Sequence, residues 1–287
     1  MWPLFLAQEQ TAQTRDISTF IDELARTPLS KVIMFVGVCT LLRLAIAPFI
    51  AKAPTHKRGP LYNFARFVNE ALDAVIYAGV FVFLIIRPFC IQAFKIPSGS
   101  MLDTLQINDF IVANKAIYRY TDPKVNDIVV FRPPKIACLP NQLDKDGEVN
   151  VDFIKRCVGD PGDVVEIKNG VLYRNGKPQP EPFIREKPRK DFKFVNDKGR
   201  LIPLQILGES VNDDRDTADT FRESDFKRMD YLRGLPAAPV PKGWFLMMGD
   251  NRNESFDGRA WGFVPKSDII GRSEFIWLPF NRWRVTR

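Results

Sequence analysis

Residues 164–179 read VVEIKNGVLYRNGKPQ, two short β-branched runs separated by Asn169-Gly170 and followed by a second pair, Asn175-Gly176. Asn-Gly pairs readily take the positive φ angles that a two-residue hairpin turn requires. Short runs rich in Val and Ile between such turns are typical of strands. The stretch therefore predicts antiparallel strands joined by tight turns.

The same pattern covers most of the C-terminal part of the chain. From residue 95 onward, short β-branched or alternating runs are separated by turns. Further strand candidates are DFIVANKAIY, NDIVVF, VDFIKRCV, GWFLMMGD and DIIGRSEFIWL. Between about residues 180 and 242 the chain is polar, charged and proline-bearing, which favours an inserted lobe. We predict a mainly β fold, an antiparallel sheet domain over residues 95–287 that carries this insertion.

Two apolar segments precede this domain, at residues 31–50 and 72–94. The uninterrupted apolar core of each is shorter than the roughly 20 residues that a membrane span needs, so a pair of buried core helices is an alternative. Arg43 and Arg87 lie toward segment ends, where long side chains can reach the headgroups. With that allowance we expect two transmembrane helices.

Basic residues are concentrated between the two apolar segments. Residues 51–71 carry four basic residues before their first acid, Glu70, whereas residues 1–30 carry two arginines against four acids. Positive charge favours the cytoplasmic side of a membrane. We therefore expect a multi-pass protein of the cell inner (plasma) membrane, with a basic cytoplasmic loop at 51–71. The N-terminal tail and residues 95–287 would then lie on the extracytoplasmic side.

Composition excludes several kinds of site. The net charge of +7 comes without a basic stripe interleaved with aromatics, so we expect no nucleic-acid partner. The cysteines form no CxxC, and the acids of residues 250–258 fail the calcium-loop pattern, so we expect no metal and no cofactor. Whether Cys138 pairs with Cys157 stays open. The single histidine, His56, lies in the loop expected inside, which excludes a Ser-His-Asp triad outside.

A serine can instead be activated by a lysine whose amine is neutral near pH 7. A lysine in water has a pKa of about 10.4, and burial in apolar surroundings lowers it by roughly 3 to 5 units. In VDFIKRCVGDPGD, strand alternation places Lys155 on one face with Phe153 and Cys157. An edge-strand lysine that prevents aggregation is the alternative, and the pattern alone does not decide between them.

Four sequence boxes then follow one another after the apolar segments. They are IPSGSMLDTL (96–105), NDIVVFRPP (126–134), DFIKRCVGDPGD (152–163) and GDNRNESFDGRAWGFVP (249–265). Together they resemble the motif boxes of the bacterial type I signal peptidases, also called leader peptidases. The resemblance implies a membrane-bound serine endopeptidase that removes N-terminal signal peptides from translocated precursors with a Ser/Lys dyad.

The resemblance assigns a role to individual residues of this chain. The family's nucleophile falls on Ser100 and its general base falls on Lys155. Its oxyanion hole matches the backbone N–H of Ser100 and the hydroxyl of Ser98. The chain departs from the family pattern at Asp103, where proline is usual.

Further positions match groups that support the family's dyad or border its substrate groove. The serine that hydrogen-bonds the lysine falls on Ser255, and the structural acid and base of that box fall on Asp257 and Arg259. Ile96 and Pro97 match residues at the border of the substrate groove. The implied partners are precursor proteins with Ala-x-Ala-like cleavage sites, together with the lipid bilayer.

Two other functions are consistent with parts of the pattern. A self-cleaving Ser/Lys peptidase of the repressor type shares the dyad, but it would need a DNA-binding helix-turn-helix where this chain has apolar segments. A membrane-anchored, non-catalytic β-domain that binds a partner would need neither Ser100 nor Lys155.

Overall fold

The structure, a computed structural model, describes residues 29–52, 59–86, 89–207 and 223–286. His56 and most of the predicted N-terminal tail lie outside the described residues. The chain divides into two compact units, with the boundary along the chain between Phe94 and Lys95.

The first unit contains two long helices that pack against each other, α1 (Leu29–Lys52) and α2 (Pro60–Phe81). A π-helical turn, Val82–Ile86, continues α2. Both helices are long and apolar enough to cross a membrane, over Ser30–Ala51 and Pro60–Leu84. Proline suits the first turn of α2, because its missing N–H would have had no partner inside the helix.

Helix α2 begins at Pro60, well before the predicted apolar segment at residues 72–94. The charged Arg66 and Glu70, which indicated a loop, form an ion pair one helical turn apart at 2.8 Å. The end of the predicted segment lies in strand β1 (Ile91–Lys95).

One ion pair joins the two helices of the first unit. Arg43 Nη1 lies 2.5 Å from Asp73 Oδ1. Ionisable groups on apolar helices are costly unless they are paired. Arg43 therefore has a carboxylate partner on α2, where the sequence indicated an arginine that reaches toward the headgroups.

The second unit contains antiparallel sheets and short helices. Its strands are β2 (Phe110–Asn114), β3 (Ile128–Phe131), β4 (Phe153–Gly159), β5 (Val165–Lys168), β6 (Val171–Arg174), β7 (Lys177–Pro178), β8 (Lys190–Asp197), β9 (Arg200–Leu207), β10 (Trp244–Met248), β11 (Val264–Pro265), β12 (Ile269–Leu278) and β13 (Arg284–Val285). Its α-helices are α3 (Ile117–Tyr120), α4 (Glu223–Gly234) and α5 (Gly258–Trp261). Its 3₁₀ turns are Gly99–Met101, Lys135–Ala137, Pro140–Gln142, Lys266–Asp268 and Phe280–Arg282.

The strands of the second unit form two sheets. In the larger sheet they follow the order β2-β12-β3-β4-β10-β11, with β13 also paired to β12. The smaller sheet has the order β7-β6-β5-β8-β9. The strand pairs β2–β12, β3–β12, β3–β4, β4–β10 and β5–β6 are all antiparallel. The predicted mainly β, antiparallel fold is confirmed.

Both predicted Asn-Gly turns are confirmed. Asn169 and Gly170, with φ of 50° and 73°, connect the antiparallel pair β5–β6. Asn175 and Gly176, with φ of 53° and 75°, connect β6 to β7.

The segment predicted as an insertion, about residues 180–242, carries two strands of the smaller sheet. Strand β8 pairs with β5, and β9 pairs with β8. Phe192 and Phe194 of β8 are buried in the core that lies between the sheets. The surrounding charges of KDFKFVND hid this alternation, because every second side chain of the strand points away from the core.

Strand β4 presents two different faces to its surroundings. It lies between β3 and β10, where Lys155 faces Val129 and Arg156 faces Met248 across the ladder. Cys157 belongs to one apolar cluster of buried residues, while Val158 belongs to another. The alternation therefore places Lys155 and Arg156 on opposite faces of the sheet.

The pairing of Cys138 with Cys157 is not formed, and both are free thiols. Cys157 Sγ is buried and lies 3.6 Å from Asp160 Oδ1. Burial raises the pKa of the Cys157 thiol, which stabilises its protonated and unreactive form.

Candidate active site

Ser100 lies in the 3₁₀ turn Gly99–Met101, directly after Ser98, whose backbone is extended. Met101 is buried, and its carbonyl accepts a hydrogen bond from the N–H of Leu105 at 2.8 Å. Small residues followed by a buried methionine let the chain turn tightly while one side chain holds it to the core. The Ser100 hydroxyl is thereby fixed at the surface of a rigid element.

The loop after β10 also contacts the turn Gly99–Met101, which we call the serine turn. The Asn251 N–H donates to Ser100 O at 3.2 Å, and Asn251 Nδ2 donates to Gly99 O at 3.1 Å. A Cβ at Gly249 would overlap both Ser100 O and Ser255 Oγ. Only glycine leaves room for this close approach of the two backbones.

Lys155 meets Ser100 at the end of its side chain. Its Nζ lies 2.6 Å from Ser100 Oγ and donates to Ile154 O at 3.2 Å. The side chain is buried, and the Phe153 ring centroid lies 5.4 Å from the amine. The edge-strand alternative is wrong, because β4 has a neighbour on each side.

The surroundings of Lys155 favour its neutral form. Burial lowers the pKa of Lys155 from 10.5 to about 8, although the carboxylates of Asp257 and Asp250 act in the opposite direction. Removing water penalises the ammonium far more than the amine. At pH 7, one unit below that pKa, about a tenth of the molecules thus carry an amine that can accept a proton, far more than for an exposed lysine.

Asp257 and Arg259 form a buried ion pair, in which Nη2 lies 2.8 Å from Oδ2. The Asp257 carboxylate also accepts from the Gly249 N–H at 2.9 Å. Burial by itself would raise the pKa of Asp257, but the hydrogen bonds and charge of Arg259 hold that pKa below its usual range. The pair fixes the loop that carries Gly249 and Ser255.

A second buried pair links the serine turn to the opposite face of β4. Arg156 donates to Asp250 from Nε at 2.8 Å and from Nη2 at 2.6 Å. Thr104 Oγ1 donates to Asp250 Oδ2 at 2.5 Å. Asp250 therefore connects three elements: the serine turn, β4 and the loop after β10.

Sequence reasoning assigned no role to Gly249, Asp250 or Asn251. All three lie in the quoted box at residues 249–265, which was the available signal. Their partners are nevertheless distant in sequence, since Asp250 is 146 residues from Thr104.

The remaining predicted residues lie around the serine turn. Ser98 Oγ is 3.4 Å from Ser100 Oγ. Pro97 is exposed, whereas Ile96 is buried, with its N–H bonded to Asp109 O at 2.8 Å. Ile96 thus anchors the turn from within the core.

Ser255 lies beside the serine turn, but it lacks the hydrogen bond to Lys155 that the resemblance implies. Within the described part of the chain, its Oγ is buried and has no hydrogen-bond partner. A buried hydroxyl without a partner costs roughly 1–3 kcal/mol.

The comparison with known protein families fits this geometry. A family model described as signal peptidase, peptidase S26, matches residues 68–278, which is most of the chain.

The chain belongs to the signal peptidase family.

It is accordingly a hydrolase, a serine endopeptidase of the signal peptidase I type.

Curated relatives extend over most of the chain. It is 31% identical to a probable signal peptidase I-1 of Synechocystis sp., over 79% of this chain and 91% of that protein. It is 29% identical to signal peptidase I of Pseudomonas aeruginosa, over 86% of this chain and 90% of that protein. A solved signal peptidase I from Enterococcus faecalis V583 covers 53% of this chain and 97% of its own, at 20% identity and a TM-score of 0.30. At that level of similarity, the fold rests on the strand pairings of the chain itself.

Replacing Gly249 with alanine is expected to reduce peptidase activity by about a hundredfold, since displacing a reacting group by about 1 Å can cost that much. The new methyl group must push aside Ser100 O or Ser255 Oγ. Hydrolysis of a peptide substrate by the full chain in detergent measures the effect. Gly234→Ala is the matched control, because a Cβ there meets open space. A wild-type rate for Gly249→Ala would contradict the close approach.

Lys155→Met is expected to stabilise the protein at pH 7. Because the pKa of Lys155 is lower in the folded chain, the folded state carries a penalty below pH 8. That penalty shrinks as the pH rises from about 8 to 10.5 and is absent above. The shift corresponds to a gain on the order of 3 kcal/mol in the free energy of unfolding at pH 7.

Urea unfolding of the full chain at pH 7 and pH 10 measures this gain. The exposed Lys145→Met provides the control. An equal effect of Lys155→Met at both pH values would show that charge burial at Lys155 is not its source.

Proposed function

We propose that this chain is a membrane-bound serine endopeptidase that removes N-terminal signal peptides from translocated precursor proteins, with Ser100 as nucleophile and Lys155 as general base. The observation that carries the proposal is the 2.6 Å separation of Lys155 Nζ and Ser100 Oγ on a buried, apolar face. Membership of the signal peptidase family supports it.

The dyad can perform both steps of peptide hydrolysis. The Ser100 hydroxyl donates to the neutral Lys155 amine, and as Oγ attacks the scissile carbonyl its proton passes to Nζ. The resulting ammonium gives that proton to the leaving amine as the C–N bond breaks, which leaves an acyl-enzyme. Lys155 then takes a proton from water as the water oxygen attacks the acyl carbonyl. It gives that proton to Ser100 Oγ as the ester C–O bond breaks, which releases the acyl group as a carboxylic acid and regenerates Ser100.

Two donors are in position to stabilise the oxyanion of the tetrahedral intermediates. We assign them to the Ser100 N–H and the Ser98 hydroxyl. Ser98 Oγ is 3.4 Å from Ser100 Oγ, close enough to reach an oxygen on the carbon under attack. Donors of this kind are worth roughly 2.7–4 kcal/mol each.

We assign Ser255, Asp257 and Arg259 to support of the dyad. An ammonium has three hydrogens to donate, and Ser100 Oγ and Ile154 O accept two in the resting geometry. The unpartnered Ser255 hydroxyl supplies an acceptor for the third while the lysine carries the proton. Asp257 and Arg259 hold the loop that presents Ser255.

Membership of the signal peptidase family implies precursor proteins with signal peptides as the substrate class. Precursors with small residues before the cut, in an Ala-x-Ala pattern, would lie beside the turn that Ile96 and Pro97 begin. Two long apolar helices and the basic residues between them favour a multi-pass anchor in the plasma membrane. The second unit would face the extracytoplasmic side, where translocated precursors emerge. No metal or cofactor takes part in this mechanism.

Removing either member of the dyad is expected to slow precursor processing by about a thousandfold or more, because neither half acts alone. The variants are Ser100→Ala and Lys155→Met, measured on a purified precursor with an Ala-x-Ala site. Ser267→Ala and Lys145→Met, both exposed, are matched controls that should process at the wild-type rate. Normal processing by either dyad variant would favour the non-catalytic binding module.

The rate of processing is expected to rise with pH and level off above about 8, the pKa of Lys155. Below that pH the ammonium cannot accept the serine proton, so kcat/KM should fall about tenfold per unit of pH. Single-turnover rates from pH 6 to 9 measure the profile. A flat profile with chemistry rate-limiting would exclude a lysine base.

A further inference from the structure

A groove with a volume of about 650 Å³ lies on the second unit, next to the residues that follow the serine turn. Asp103 and Thr104 form part of its wall. Its polar lining also includes three arginines, which are Arg156, Arg185 and Arg284.

The groove has more positive charge than its own acids neutralise. Arg156 is paired with Asp250 behind the groove. Arg284 donates to the backbone carbonyls of Asp103 and Thr104, and Arg185 is exposed with no ion pair among the described residues. The only acid in the lining is Asp103. Two guanidinium groups therefore face the groove without a carboxylate partner.

The groove also has an apolar side. Pro182, Phe183 and Val285 contribute to its lining. The Phe183 ring lies on the Arg156 guanidinium, 3.8 Å from centroid to Cζ. An extended peptide with an acidic side chain matches this combination of apolar wall and free guanidinium.

A smaller cavity of about 190 Å³ lies beside Leu102, the residue that follows the serine turn. Its lining includes Asn251, which holds the Ser100 carbonyl, and it carries two acids, Glu186 and Glu254, as well as two arginines, Arg185 and Arg189. Arg185 lines both cavities. Three Cα steps separate Ser100 from Asp103, at most about 11 Å, which about three or four extended residues span.

We propose that the groove binds the start of the polypeptide released by the cut, and that it favours an acidic residue about two to four positions after the scissile bond. The inference rests on the proposed function. With the residues before the cut beside Pro97, the residues after it leave past the other end of the serine turn. That end carries the smaller cavity and then Arg185 and Arg284, which have no carboxylate partner among the described residues.

Two precursors that differ only at positions two to four after the cut test the proposal, one carrying Asp and Glu and the other carrying Asn and Gln. We expect the wild-type chain to cleave the acidic precursor with a kcat/KM about five- to tenfold higher, a modest preference because the charges are partly exposed. Arg185→Gln and Arg284→Gln should each reduce that ratio about threefold.

The control is Arg200→Gln, an exposed arginine on β9 that does not line the groove, which should leave the ratio unchanged. Among the described residues Arg185 forms no hydrogen bond or ion pair, so Arg185→Gln removes charge without removing a hydrogen bond. A wild-type ratio near one, or a ratio that survives both groove substitutions, would overturn the proposal. If Arg185→Gln and Arg284→Gln lower kcat/KM equally for both precursors, and only in vesicles with anionic lipid, the groove binds a lipid headgroup instead.

A binding measurement separates this proposal from the proposed function. Fluorescence anisotropy follows binding of the acidic and amide forms of the released peptide to the full-length Ser100→Ala chain. We expect about fivefold tighter binding of the acidic peptide, a preference that falls about threefold in the Arg185→Gln background. If the Ser100→Ala chain still cleaves precursor, the proposed Ser100/Lys155 dyad is wrong. The preference for the acidic peptide is then judged from the binding measurement alone. Equal binding of the two peptides overturns the groove proposal whatever the outcome for the dyad.

Discussion

The contact between the Lys155 amine and the Ser100 hydroxyl, 2.6 Å long, depends on keeping water away from a lysine. Strand β4 achieves this by lying between β3 and β10, with Phe153 and Cys157 on the same face as the lysine. Burial lowers the pKa of Lys155 to about 8, so the amine can be neutral where an exposed lysine would be charged. Rigidity of the serine turn matters equally, because a proton passes only across a short, fixed distance.

Two ion pairs hold the elements around this contact without cancelling the effect of burial. Asp250 is bound by Arg156, and Asp257 is bound by Arg259. Each carboxylate raises the pKa of Lys155, but each is largely neutralised by its own arginine, and desolvation remains the larger effect. The loops gain rigidity from buried charges, while the pKa of the amine next to them stays below that of an exposed lysine. Among the described residues, Arg185 and Arg284 line the groove beside Asp103 and form no ion pair there.

Much of the fold could be predicted from local pattern. The Asn169-Gly170 turn, the strand at Lys155 and the antiparallel class all depend on neighbours within a few residues. Local pattern failed where charged residues, which indicated a loop or a polar lobe, lie in a strand or helix of the folded chain. Phe192 and Phe194 belong to the core although charged residues flank them, and Arg66 with Glu70 lies on a helix, not in a loop.

The sequence by itself determined that Lys155 shares a face with Phe153 and Cys157, because side chains alternate along a strand whatever the strand packs against. It also determined the hairpin turns, because positive φ is a property of the turn residues themselves. Tertiary structure decided which hydroxyl the lysine meets, 55 residues away, and brought Asn251 behind that hydroxyl. It also left the Ser255 hydroxyl without a hydrogen-bond partner in the part of the chain that the structure describes. Contacts of this kind depend on how whole strands and loops pack in three dimensions, and no short stretch of sequence encodes that packing.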